Sequence, residues 1–246
     1  MNKWEDTTLG KYAKVIGGYA FKSSDFLDFG DYPVIKIKNI ASGTLNMEGC
    51  QYISSETAKR ADNYYRAKSN DILIAMTGSH ITQPSSMVGR VARYALAEVA
   101  FINQRVGKII SRDTNALNED FLYYFIVQED TTYSLANIAS GSANQANISA
   151  GQIEALPFSL PSIEEQYAIA EILSSFDDKI DLLNRQNSTL EALAQAYFRQ
   201  WFVEGAKEDW ELVPIGSFGK IVCGKTLPTK NNAYFGNDVP FLTLQL

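Results

Sequence analysis

The chain has 246 residues, 46% of them hydrophobic and 20% charged, a balance that fits a folded protein with a core and excludes a disordered one. No apolar run approaches the roughly 20 residues that a membrane helix needs, and the polar opening Met1-Asn2-Lys3-Trp4-Glu5-Asp6 lacks a signal core, so a cytoplasmic protein with no membrane role is expected. The net charge of −6 excludes a uniformly basic nucleic-acid binder, but residues 1–155 are nearly neutral, with 15 Lys+Arg against 16 Asp+Glu, while residues 156–246 carry 7 against 12.

Residues 4–160 read as mixed α and β. Lys11, Lys14, Lys22, Lys36 and Lys38 crowd the first stretch and leave room for a local basic face. Residues 34–38 alternate with period two, as a half-buried strand does, and 71–75 and 106–110 read as further strands bounded by Gly, Asn and Ser. Two long polar loops are expected at 77–86 and 140–147. Asn118, followed by Glu119-Asp120, predicts a capped helix over 121–128 with acids on its positive end. Ser149 and Gln152 predict a capping box for a short helix that stops before Pro157.

A second box, Ser162 with Glu165, opens a different pattern. Apolar residues step by four and three along Ile169, Leu173, Phe176, Ile180, Leu183, Asn187, Leu190, Ala194, Tyr197 and Trp201, with no Pro or Gly until Gly205. That is a heptad seam on a helix of about 40 residues and roughly 60 Å, too long for its own domain to cover and suited to a partner helix. Asn187 on the seam is the kind of polar residue that sets register and partner number. Beyond it the chain repeats its own opening at an offset of 206: Trp4-Glu5, Leu9-Gly10, Tyr12, Lys14-Val15-Ile16 and Gly18 return as Trp210-Glu211, Ile215-Gly216, Phe218, Lys220-Ile221-Val222 and Gly224. Residues 206–246 therefore read as the start of a second domain like the first.

Catalytic motifs are weak. Residues 219–226 match the phosphate-loop spelling, yet Pro228 follows at once and the βαβ unit that the loop needs has no room. His80 is the only histidine, so hydrolytic triads and His-based metal sites lack partners, and no metal or cofactor is expected. Cys50 and Cys223 have no CxxC spacing and read as free thiols. Asp177-Asp178-Lys179 reads as a solvated helix face rather than part of a nuclease site. The polar loops carry the residue types that hold phosphates and read base edges, which are also the types that fill any solvated loop.

Here the residues carry a resemblance. Residues 141–149, then 156–161, then Glu164-Glu165-Gln166-Tyr167-Ala168-Ile169-Ala170 resemble the junction between recognition domain and conserved helix in the specificity subunits of type I restriction–modification systems. Trp4-Glu5…Leu9-Gly10 and Trp210-Glu211…Ile215-Gly216 resemble the openings of that family's two recognition domains. The resemblance implies an α+β fold: a globular mixed α/β target-recognition domain over 1–160, a long conserved coiled-coil helix over 161–205, and a partial second-domain stub over 206–246. It implies double-stranded DNA as ligand, an adenine methyltransferase subunit and an ATP-dependent restriction subunit as partners, and no catalysis by this chain. Loop chemistry singles out Lys36, Lys38, Ser79, His80, Gln83, Gln104, Arg105, Asn144 and Gln145 as DNA contacts. With one domain and one helix in place of the family's two, a homodimer through the seam (Ile169, Leu173, Phe176, Ile180, Leu183, Asn187, Leu190, Tyr197, Trp201) reading an interrupted palindrome is expected. The alternatives are a half-subunit that binds the methyltransferase without reading DNA, or a DNA-modifying enzyme in its own right.

Overall fold

The computed structural model describes residues 4–81, 86–142, 145–207, 209–220 and 222. It divides into two compact units, Met1–Asn184 and Arg185–Leu246. In the first, strand β1 (Glu5–Thr8) passes through a single helical turn, α1 (Leu9–Tyr12), into β2 (Ala13–Gly17). Then follow β3 (Tyr32–Ile35), β4 (Gln51–Ile53), α2 (Ser55–Arg60), β5 (Arg66–Ala67), β6 (Ile72–Ala75), β7 (Thr77–Gly78), β8 (Val91–Arg93), β9 (Ala100–Ile102) and β10 (Val106–Ser111). Helices α3 (Glu119–Ile126) and α4 (Glu129–Ile138), strands β11 (Ser140–Ser142) and β12 (Gln145–Asn147), helix α5 (Ala150–Glu154) and strand β13 (Pro157–Leu160) lead into the long helix α6 (Ile163–Phe198).

Two four-stranded sheets form the centre. One runs β2-β10-β6-β8 and is antiparallel throughout; the other runs β4-β3-β9-β5, with β3 and β9 parallel. Strand β6 shows why its sequence is apolar without alternation. Ile72 and Ile74 face the core under the helices, while Leu73 and Ala75 face the core between the sheets, so both sides of the strand are buried. The sheets meet at a corner where β2 runs on past Gly18. Gly18 N–H donates to Val106 O at 2.9 Å and Tyr19 N–H donates to Ile102 O at 2.9 Å, so the chain leaves β10 and joins β9. A Cβ on Gly18 would lie 2.2 Å from Asn103 O, a distance that only glycine avoids.

The strand expected over 34–38 ends early. Asn39, almost wholly buried, takes the Lys36 N–H onto its Oδ1 at 2.9 Å and gives its own amide to Asn46 O at 2.9 Å. This turns the chain into a 3-10 turn, Ile37–Asn39; an asparagine side chain has outcompeted the ladder. The loop expected over 140–147 is instead a hairpin, β11 with β12, and β12 also pairs with β7.

The predicted caps form as read. Asn118 Oδ1 accepts from Phe121 N–H at 2.8 Å, and the box of Ser149 with Gln152 has both arms. Ser162 Oγ accepts from Glu165 N–H at 3.3 Å, while Glu165 Oε2 accepts from Ser162 N–H at 3.0 Å. Strand β13 pairs with β1, so the first residues of the domain and the run into α6 are held side by side. Gln166, Ala170 and the half-buried Ile169 bind the opening of α6 to this domain. Ile169, first on the expected seam, is half-buried and packs on its own domain's core.

In the second unit, the last turns of α6 widen into a π-helical turn, Arg199–Glu204, with Gly205 N–H donating to Gln200 O at 2.8 Å. Tyr197 and Trp201 stack there, with ring centroids 5.1 Å apart. The sequence repeat is not a structural copy over its described part. Residues 211–214 carry no strand where β1 forms, and Ile215 is 76% exposed where its counterpart Leu9 is 0%. Leu9 is buried because β1 has β13 beside it and because its own N–H donates to Leu156 O. Most of the phosphate-loop spelling, from 223 on, lies outside the described residues, as does Cys223.

Candidate nucleic-acid interface

One edge of the first unit gathers polar side chains from three places in the sequence. The turn 103–105 between β9 and β10, the end of β7 and the hairpin β11–β12 are joined by backbone bonds. Met76 N–H donates to Arg105 O at 2.9 Å, Ile148 N–H donates to Met76 O at 3.0 Å, and Gly78 pairs with Ala146. Between them lies an open cavity of about 360 Å³ lined by Gln104, Arg105, Ser140, Asn147, Gln152 and Met76. Gln104 and Arg105 are exposed at the tip of their turn, and Gln145 is exposed on the hairpin. Asn147 is oriented by Thr77, whose hydroxyl donates to Asn147 Oδ1 at 2.8 Å. That contact occupies the Asn147 amide oxygen and leaves its amide nitrogen to serve as a donor.

Of the residues expected to contact DNA, Gln104, Arg105 and Gln145 sit on this edge, and the half-buried His80 follows β7 beside it. Gln83 and Asn144 lie outside the described residues. Ser79 does not fit the expectation. It is 4% exposed, its hydroxyl lies 2.8 Å from that of Ser86, and backbone bonds with Ser86 and Val88 close the neck of the loop. Gly78 makes this neck possible, since a Cβ there would lie 2.5 Å from Ser86 O.

The two lysines also hold structure together. Lys36 Nζ donates to Gln51 Oε1 at 2.5 Å and sits 3.4 Å from the centroid of the Phe26 ring, and Lys38 Nζ donates to Gly49 O at 2.7 Å. Burial, then the nearby Lys38 charge, holds the Lys36 ammonium below the ordinary lysine range. Lys36 still lies at the right edge. It follows β3 as Asn103 follows the parallel β9, and Asn103 N–H donates to Ile35 O at 2.9 Å. The early lysines do not make one basic face: Lys11 pairs with Glu5 at 2.6 Å and Lys14 lies over Tyr64.

Sequence reasoning missed Asn147 and Gln152, because a loop reading of 140–147 has no facing direction whereas the hairpin does. Asp177 and Asp178, read as a solvated helix face, are exposed, and Asp177 Oδ2 also accepts from the Tyr124 hydroxyl at 2.7 Å. On α6 the seam side chains Leu173, Phe176, Ile180, Leu183, Leu190, Tyr197 and Trp201 are all exposed, and so is Asn187.

The sequence pattern of the type I restriction modification DNA specificity domain matches residues 1–192, more than half of the chain. The chain belongs to that family. A Methanocaldococcus jannaschii protein assigned as the MjaX type I restriction enzyme specificity subunit is 28% identical over 97% of this chain and 58% of its own length. The HindI specificity subunit of Haemophilus influenzae is 23% identical over 99% of this chain and 66% of its own length. The chain thus spans about three-fifths of the length of these family members. The crystal structure of the type I restriction–modification S subunit from M. genitalium shares the fold, with a TM-score of 0.53 at 20% identity over 84% of this chain and 51% of that one. The family assignment and the mixed α and β fold with its long helix agree with the reading from the residues. Among the described residues, no helix is long and apolar enough to cross a membrane, and no group of three or more His, Cys, Asp or Glu could hold a metal ion.

Proposed function

We propose that this chain is the non-catalytic DNA specificity subunit of a type I restriction–modification complex, acting in the cytoplasm to direct an adenine methyltransferase, and with it an ATP-dependent restriction subunit, to a split DNA site. The observation that carries this reading is the edge where Gln104, Arg105 and Asn147 converge around one cavity, with Gln145 exposed on the adjoining hairpin. Arg105 offers a bidentate donor and Gln104 and Asn147 offer amides, the groups that read base edges in a groove. Family membership supports these partners. In this reading residues 1–160 form the recognition domain, 161–205 the spacer helix, and 206–246 the opening of a second domain.

Titrating DNA binding against salt with the methyltransferase subunit present tests it. Phosphate contacts release counterions, so log Kobs should fall steeply with log salt. A flat slope would contradict DNA reading and favour a half-subunit that only occupies the methyltransferase. Tight S-adenosylmethionine binding by this chain alone would point to an enzyme instead.

The same reading includes a homodimer. The seam from Leu173 to Trp201 leaves large apolar side chains in water along one helix, which soluble monomers rarely do. A second copy packed antiparallel covers them with a self-complementary interface and sets two identical, inverted recognition domains on the DNA. Sedimentation should give about twice 27.3 kDa. A monomer at micromolar concentration would remove the dimer.

A further inference from the structure

We propose that Tyr124 is a positioning residue that fixes the tilt at which α6 leaves the recognition domain, and through that tilt the number of base pairs between the two half-sites. The inference rests on the DNA-reading function above and assigns its spacing to one strut. The opening of α6 is pinned at Gln166, which is 0% exposed. Its Oε1 accepts from Asn118 N–H at 2.9 Å, and its Nε2 donates to Ala116 O and Pro161 O. Eleven residues on, the helix meets the domain again. The Tyr124 hydroxyl donates to Asp177 Oδ2 at 2.7 Å and lies 3.2 Å from Ser174 Oγ.

Tyr124 is itself braced. Its ring lies 5.2 Å from that of Tyr123, and Tyr123 carries the Arg93 guanidinium at 4.1 Å, which in turn pairs with Asp120 at 2.9 Å. Behind this contact the space is not packed. Tyr124, Asp177 and Ile180 line an open cavity of about 670 Å³ together with Leu45 and Met47 of the domain.

The lever is long. Gln166 to Asp177 is about 16 Å of helix, so a shift of about 1 Å at Asp177 swings the axis of α6 there by about 3–4°. The rise per base pair is about 3.4 Å, so the change of gap to be read is one base pair in either direction.

The test is the methylation pattern of cells expressing the full chain with its methyltransferase subunit. The wild type should methylate sites of a single gap length. Tyr124→Phe and Asp177→Ala should admit gaps one base pair shorter or longer, raising the ratio of off-gap to on-gap methylation roughly fivefold or more while the half-site bases stay the same. Asp177→Asn, which keeps an acceptor oxygen for the phenol, should retain the single gap, a rescue that loss of folding would not show. A strict single gap in Tyr124→Phe and Asp177→Ala overturns the proposal. Failure of the DNA reading looks different: the wild type itself would give no site-selective methylation. The strut is then judged on spin-label distances between Lys59→Cys and Lys179→Cys in a Cys50→Ala, Cys223→Ser background, diluted with unlabelled chain. These should broaden in Tyr124→Phe, and an unchanged distribution again overturns the proposal.

Discussion

At the scale of single residues, buried polar side chains carry the sharpest consequences. Gln166 satisfies a backbone N–H and two carbonyls with one amide. Gln166→Leu would leave those groups unpaired in the interior, and we expect a loss of about 3 kcal/mol in urea unfolding; a loss below about 1 kcal/mol would mean that water replaces the amide. Arg105→Ala acts on the exposed edge, so stability should hold, whereas Asn147→Ala also removes the acceptor of the buried Thr77 hydroxyl and should cost about 1 kcal/mol; in each, one position of the recognised half-site should relax by about 1–3 kcal/mol. Methylome sequencing of each variant would show an unchanged motif if the edge does not read bases. Two tyrosines give a pH signature. Burial pushes the hydroxyls of both Tyr94 and Tyr124 up to about 12. A raised folded pKa means that the folded chain holds the phenol proton longer than the unfolded chain does. The stability this contributes is intact below pH 10 and is lost as the pH rises toward 12. Tyr124→Phe should make alkaline unfolding over that window less steep, as followed by circular dichroism.

At the scale of elements, caps and seams behave differently. The Asn118 cap is local and buried, so Asn118→Ala should lower stability by about 1 kcal/mol without touching DNA affinity. The seam of α6 is exposed and its effect should appear only in assembly. Leu183→Asp should leave the melting of the recognition domain unchanged and shift sedimentation toward the 27.3 kDa monomer. If the variant sediments as the wild type does, the seam is not the contact between copies. Strand 34–38 and the loop 140–147 were misread for opposite reasons. Alternation predicted a strand that the buried Asn39 ended, while polarity predicted a loop that pairing with β7 turned into a strand. In both cases a contact far along the chain or a single hydrogen bond outweighed local propensity.

At the scale of the whole molecule, a self-complementary pair of copies implies symmetric reading. An antiparallel dimer would carry two identical domains in inverted orientation, so the methylated motif should be an interrupted palindrome rather than an asymmetric split site. Sequencing the methylated sites decides it, and two unlike half-sites would exclude a homodimer as the reading species.

The sequence by itself determined what depends on short-range spacing. The capping boxes at Ser149 and Ser162, the Asn118 cap, the buried strands at 72–75 and 106–111, and the long helix after Pro161 all follow from periodicity and local hydrogen bonding, which neighbouring residues control. The junction motif from 141 to 170 was enough to point to the family. Only the tertiary structure decided which polar side chains share an edge. Gln104, Arg105 and Asn147 are brought together by pairing across more than 40 residues of sequence, while Ser79, Lys36 and Lys38 are drawn into internal contacts. Asp177, read as a solvated face, is held by a tyrosine 53 residues away. Sequence spacing carries the period of an element but not the partner across the fold, and hydrogen-bond partners decide whether a polar side chain is free to meet DNA.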